Sequence, residues 1–186
     1  NKRIFVEKRG IFDVESPKIF DEVKAVVSSI QSVKVYNIYD IFGLNNGEFE
    51  KVVNSTFVDP VTDILIEENP AKGTHFALEF LPGQYDQRAD SAQQCIALLT
   101  ENEKSKVRSG KLIEFEGVSE SDLAKIKDLL INKVESQEKD LTILDIPAEE
   151  TPTKVIVHEN FINFDDAQLE EFFNNHGFAL GLDDLK

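Results

Sequence analysis

The chain has 186 residues and a formal net charge of −15, because 35 Asp and Glu outnumber 20 Lys and Arg. This charge repels phosphate groups, so nucleic acid and anionic membranes are not expected as partners. No apolar run approaches the roughly 20 residues that cross a bilayer, and the N-terminal segment lacks the apolar region of a signal peptide. We therefore expect a cytoplasmic protein, with a packed core supplied by its 41% hydrophobic residues.

The first part of the sequence predicts the order strand, helix, strand, helix, strand. Its periodicity predicts strand 3–8, helix 17–30, strand 33–42, a helix marked by Phe49, Val52, Val53 and Phe57, and strand 63–67. Ser16 is the expected N-cap of the first helix, because Pro17 follows it in the first turn. Clean alternation along the second strand predicts that only one of its faces is buried.

The same order begins again at residue 74. The predicted elements are strand 74–80, a helix with Ala89, Ala92, Ile96 and Leu99 on one stripe, strand 111–116, a helix after Ser119, and strand 140–144. Asp86 is the expected cap of the first of these two helices. Ser119 and Asp122 resemble a capping box at the start of the second.

The two halves align with each other. GIFD at 10–13 lies over GQYD at 83–86, an offset of 73 residues, and the flanking elements occur in the same order. We therefore predict an α+β fold in which duplicated strand-helix-strand-helix-strand units form antiparallel sheets packed with helices. The first repeat is assigned to residues 1–70 and the second to residues 71–146.

A segment of different character follows the second repeat. Two prolines and an acidic pair predict a linker at 147–160, with one short extended piece at 155–157. The start of a helical linker domain is assigned to 161–186, where Asp165 and Gln168 cap a short helix. Because the chain contains no Met and its last residues predict a helix that is not completed, we expect it to be part of a longer protein.

Cysteine and histidine usage argues against a catalytic or metal site. The single cysteine, Cys95, cannot form an internal disulfide, and its helical position predicts a buried small hydrophobe. The three histidines have no partner at metal-ligand spacing: His75, His158 and His176. The acidic pairs are predicted to be solvated: Glu67-Glu68, Glu149-Glu150 and Asp183-Asp184. The sequence contains no glycine-rich phosphate loop, so no catalytic residue, metal or cofactor site is predicted in this chain.

The stretch LPGQYDQRADSAQQC at 81–95 carries the candidate contact residues. Arg88 lies near a helix N-terminus, where it could bind a carboxylate or phosphate, or could form a surface ion pair with Asp86 or Asp90. Gln84 and Arg88 have no like residues at the matching places of the first repeat. We therefore predict Gln84 and Arg88 as interface candidates.

Four segments resemble the N-terminal region of the large phosphoribosylformylglycinamidine synthases, which are glutamine-dependent ligases of purine biosynthesis. They are VKVYNIYDIFGL, LEFLPGQYDQRADSAQQC, LIEFEGVSESDLAKIKDLLINKV and FFNNHGFALGLDDL. These segments span nearly the whole chain in the family's order. In that family the region is a duplicated module, similar to a dimer of the small subunit of shorter enzymes, followed by a helical linker.

The resemblance implies a non-catalytic module that docks against the synthetase and glutaminase domains of the same polypeptide. ATP and Mg²⁺ would be bound by the full-length enzyme outside this chain, and the glutaminase triad would also lie elsewhere. Two alternatives remain open. One is a stand-alone duplicated α+β module that binds a protein partner, and the other is a small enzyme that uses Arg88 and neighbouring carboxylates.

Overall fold

The computed structural model describes residues 1–145, 157–176 and 181–185. The chain divides into two compact units, Asn1–Ala148 and Glu149–Lys186. The first unit contains a six-stranded antiparallel sheet packed with helices, so the predicted α+β class is confirmed. Within the described residues, no helix combines the length and apolar character needed to cross a membrane.

The elements follow the predicted alternation. The strands are β1 (Lys2–Lys8), β2 (Ser32–Phe42), β3 (Asp63–Ile66), β4 (Thr74–Phe80), β5 (Lys106–Glu116) and β6 (Ser136–Glu138). The helices are α1 (Glu15–Lys24), α2 (Asn46–Val52), α3 (Gln87–Thr100), α4 (Glu120–Leu130), α5 (Asp166–His176) and α6 (Leu182–Leu185). A π-helical turn, Val53–Phe57, continues α2, and short 3-10 turns lie at Gly10–Phe12 and Phe161–Asn163.

The strand order is β3-β1-β2-β5-β4-β6, which has the same sequence of equivalent strands when it is followed from either edge. β2 and β5 lie at the centre and pair antiparallel over eleven residue pairs, from Ser32–Glu116 to Phe42–Lys106. Each outer group of three strands comes from one half of the chain. The two halves therefore share one continuous sheet, joined by the β2–β5 pairing.

The backbone registers of the two halves also correspond. Lys2 lies opposite Ile41 in the first half, and Thr74 lies opposite Phe115 in the second, at offsets of 72 and 74 residues. Gly10 and Gly83, which are 73 residues apart, both adopt positive φ before the following helix, at 41° and 85°. Glycine is favoured at both turns because a side chain would strain this backbone conformation.

All four helices of the first unit pack on one face of the sheet. Side chains alternate along a strand, so Val33, Val35, Tyr39 and Ile41 of β2 share a face. Tyr39 and Ile41 pack in a cluster with α2 and α3, whereas Val33 and Val35 pack with α1 and α4. The helix-covered face therefore carries two apolar clusters, with the central strands running beneath both.

The prediction that strand 33–42 is buried on one face only is wrong. Ile38 of β2, on the face opposite the helices, is fully buried in a cluster with Phe5 and Leu112. Leu141, from the segment after β6, packs against this cluster. Alternation did not reveal this cover, because the covering segment is distant in sequence.

The prediction of a strand at 140–144 is also wrong, because the last strand is β6 and the chain then lies across the sheet. Lys139 is buried between two carboxylates, with its Nζ 2.8 Å from Asp40 Oδ2 and 2.6 Å from Glu79 Oε2. Arg3 also pairs with Asp40, and it donates to the carbonyls of Leu141 and Ile143. These ionic contacts hold the segment in place of a strand ladder.

The first helix is shorter than predicted and is capped differently. It ends at Lys24 instead of residue 30, and the chain turns so that Val26 is half exposed while Val27 stays buried. The side chain of Asp13 accepts from the Ser16 N–H at 3.0 Å. The hydroxyl of Ser16, the predicted cap, instead accepts from the Val35 N–H of β2 at 3.0 Å.

The other helix and strand boundaries are close to those predicted, except that β5 begins at Lys106, five residues before the predicted start. Ser119 caps α4 by accepting from the Asp122 N–H, as predicted. In the second unit, Asp165 and Gln168 each accept from the other's backbone N–H, which confirms the predicted capping box of α5. The predicted extended piece at 155–157 falls mainly on residues outside those that the structure describes, as does much of the predicted linker.

Glu114 gives the sheet a testable pH dependence. Its Oε1 accepts from the N–H groups of Lys72 and Gly73, at 2.8 and 2.9 Å, and so fixes the connection before β4 onto β5. Burial alone would raise the pKa of Glu114, but these hydrogen bonds outweigh burial and lower the pKa below its ordinary value. The stabilisation is therefore fully present above the unfolded-state pKa and is lost as pH falls through the folded-state pKa.

We expect Glu114→Gln to flatten the acid limb of the stability profile, because glutamine can still accept these bonds but does not titrate. The measurement is the free energy of unfolding in urea between neutral pH and pH 3. Glu116→Gln on the same strand, at an exposed position, is the matched control. An unchanged acid limb in Glu114→Gln would contradict the assignment.

Candidate functional site

A cavity of about 810 Å³ opens on the helix-covered face of the sheet. It lies between α3 and strands β4 and β5, and residues that follow α4 form its far wall. Its volume is within the roughly 300–1,000 Å³ of small-molecule sites. Arg88 and Cys95 of α3 both line it, so the cavity joins two residues that the sequence treated separately.

Asp86 positions the start of α3 over the central sheet. Its Oδ1 accepts from the Ala89 N–H at 2.9 Å, which confirms the predicted N-cap. The Ser109 N–H also donates to Asp86 Oδ2 at 2.8 Å. Ser109 lies one residue beyond the last β4–β5 pair, so the carboxylate satisfies a backbone group that no longer has a neighbouring strand.

Arg88, in the first turn of α3, reaches the central strand of the other half. Its Nη1 donates to Asn37 Oδ1 of β2. The described residues show no ion pair between Arg88 and either Asp86 or Asp90, and Asp90 instead accepts from the Tyr85 hydroxyl at 2.9 Å. The surface ion pair considered from the sequence is therefore not the arrangement in the structure.

The first half contains an equivalent contact. Glu15, in the first turn of α1 and 73 residues before Arg88, pairs with Lys111 of β5. Asn37 and Lys111 lie directly opposite each other in the β2–β5 register. The expectation that Arg88 has no counterpart overlooked Glu15, which the 73-residue offset places at the matching position although the two residues differ in charge.

Gln84, the other interface candidate, lies in the exposed turn before α3. Its Nε2 donates to the Val134 carbonyl at 3.2 Å, which links this turn to the segment after α4. Gln84 does not line the cavity wall that contains Arg88. Its role as an interface residue remains a prediction.

Two hydroxyl groups near Arg88 were not identified from the sequence. Burial raises the pKa of Tyr39, and the neighbouring Arg88 guanidinium acts in the opposite direction. Thr56 lies in the π-helical turn, and its Oγ1 is buried with no hydrogen-bond partner among the described residues. Apolar periodicity assigns both positions to a strand or helix and contains no signal that they share a cavity wall.

The prediction that Cys95 is buried is wrong, because the thiol is exposed. α3 buries Ala89, Ala92 and Ile96, and its contact with the sheet is narrow because two of these three side chains are small. Cys95 lies just outside this stripe, beside the cavity. No group of three or more His, Cys, Asp or Glu in the described part of the chain is placed to hold a metal ion.

No family model matches the chain, and no curated protein matches it. Functional inference therefore depends on the fold, the cavity and the resemblance of the four segments.

Exposure of Cys95 predicts rapid modification of the native protein. Iodoacetamide should alkylate Cys95 at a rate close to that of the urea-unfolded chain, because no local opening is needed to expose the thiol. Mass spectrometry of quenched samples measures both rates. A native rate that is lower by about a hundredfold or more would indicate a thiol protected by structure and would contradict the observed exposure.

Proposed function

We propose that this chain is a non-catalytic N-terminal module of a glutamine-dependent, ATP-consuming ligase similar to the large phosphoribosylformylglycinamidine synthases. The palindromic sheet supports this proposal most directly, because two similar halves joined through β2 and β5 form the arrangement expected of a fused dimer. The resemblance implies such a duplicated module. Function in this proposal comes from docking against the synthetase and glutaminase domains.

The chemistry of the described residues is consistent with a docking role. Cys95 lies on α3, whereas His75 lies on β4, where its Nδ1 is 2.6 Å from the Gly73 carbonyl. Among the described residues, no printed contact links Cys95 to a histidine. A nucleophile activated by an adjacent base is therefore not part of the proposal.

Exposed apolar side chains provide a candidate docking surface. Ile11, Phe12 and Val14 precede α1, and they are 90%, 44% and 76% exposed. A hydrogen bond from the Arg9 N–H to the Thr62 carbonyl brings the segment containing Val61, which is 73% exposed, next to this turn. Adjacent exposed apolar residues are typical of surfaces that contact another protein.

The proposal predicts that the module couples glutamine hydrolysis to synthesis. In the full-length ligase, deletion of residues 1–146 should abolish glutamine-dependent product formation while ammonia-dependent formation continues, because the catalytic centres lie in other domains. Adding residues 1–146 as a separate chain should restore part of the glutamine-dependent rate. Steady-state assays with glutamine or ammonium chloride measure the two rates.

Point variants test the docking surface without removing the module. Ile11→Glu should lower the glutamine-dependent rate by about tenfold or more, as expected when a central apolar contact is lost. Leu98→Glu on α3, where the side chain is 84% exposed, makes the same change outside this surface and should have little effect. Unchanged coupling after both the deletion and Ile11→Glu would reject the proposal and favour a stand-alone interaction module.

A further inference from the structure

The cavity beside α3 has features that docking of the module does not require. Its wall combines apolar side chains from β4 and the end of α4 with polar groups from α3 and β2. Leu78, Phe80 and Leu130 form part of the apolar wall, while Arg88 and Tyr39 belong to the polar part. A mainly apolar cavity with a few convergent polar groups is typical of a small-molecule site.

Arg88 is the cation in this wall that remains available for a ligand. Lys111 is paired with Glu15, and Glu79 is neutralised by Lys139 at 2.6 Å and Arg108 at 3.3 Å. The described residues place no carboxylate within ion-pair distance of Arg88. Its hydrogen bond to Asn37 uses one of the five N–H donors of the guanidinium.

The hydroxyl of Thr56 gives a second, independent reason to expect a ligand. Its Oγ1 is buried and has no partner among the described residues, although Thr56 contributes to the cavity wall. A buried polar group without a hydrogen bond is destabilising unless another molecule satisfies it. The π-helical turn that contains Thr56 is a distortion often found at functional sites.

We propose that this cavity binds a small organic anion. Its carboxylate or phosphate lies at Arg88 and accepts hydrogen bonds from the guanidinium and a neighbouring hydroxyl group. Its apolar body packs against Phe80 and Leu130. Glu135, which also lines the cavity, is exposed to solvent and borders the end away from the anionic group.

The asymmetry between the halves limits the number of sites. At the position equivalent to Arg88 the first half has Glu15, and at the position equivalent to Lys111 it has Asn37. An anion is therefore favoured beside α3 and disfavoured beside α1. One ligand should bind per chain, in contrast to the two that equivalent halves would hold.

The test uses the 186-residue chain, in which Cys95 is the single cysteine and lines the cavity. The probes are phenyl phosphate, benzoate and the neutral benzyl alcohol. Calorimetry should show one site for at least one anion and weaker binding of the alcohol. At about ten times the dissociation constant, that anion should slow Cys95 alkylation by iodoacetamide about tenfold through occupancy of the cavity.

Variants connect the binding to Arg88. Arg88→Gln should weaken anion binding about tenfold or more, because a charge-assisted contact is lost. Lys18→Gln removes one positive charge on exposed α1, outside the cavity, and should leave the affinity unchanged. Circular dichroism checks that both variants fold, and Thr56→Val replaces Arg88→Gln if the latter does not.

Which anion binds identifies the head group that the site prefers, and either outcome supports the proposal. Absence of binding by both anions would overturn it. Equal affinity in the folded cavity variant, or binding that leaves the alkylation rate of Cys95 unchanged, would also overturn it. None of these outcomes depends on the ligase assays, so failure of the ligand site can be distinguished from failure of the docking role.

Discussion

The antiparallel pairing of β2 with β5 is the interaction on which the rest of the first unit depends. Its eleven residue pairs join strands from the two halves, and each of these strands also pairs with the first strand of its own half. Separated halves would each expose a long apolar edge strand, which is a liability in a soluble sheet. The pairing therefore makes one folding unit from two similar sequences and places β2 and β5 at its centre.

The helices are positioned by the same pairing. Ser16 accepts from the Val35 N–H and Asp86 from the Ser109 N–H, at equivalent points just beyond the outer strand pairs. The first turns of α1 and α3 then reach across to the central strand of the opposite half, through Glu15 and Arg88. The substitution of Arg for Glu between these equivalent positions gives the cavity beside α3 its cation, so repeated geometry produces a single asymmetric site.

Local signals predicted most elements but not the features that depend on distant contacts. Capping by Asp86 and Asp165 was predictable because each cap lies three residues from its partner. Burial of β2 on both faces was not, because Lys139 and the segment after it come from far along the chain and are held by charges that periodicity does not register. Cys95 was misplaced for a related reason, since the width of a buried helix stripe depends on what packs against it. The candidate site was predictable only in Arg88, although the 73-residue offset already paired that position with Glu15.

The central claim is that two half-modules form one cooperative unit through β2 and β5, and native-state hydrogen exchange tests it most directly. The account predicts that the slowest amides occur in both β2 and β5 and share one free energy of opening, equal to that of global unfolding. A small quantity of denaturant should lower both to the same extent. Opening of residues 1–70 as a separate unit, while amides of β5 remain fully protected, would contradict the account.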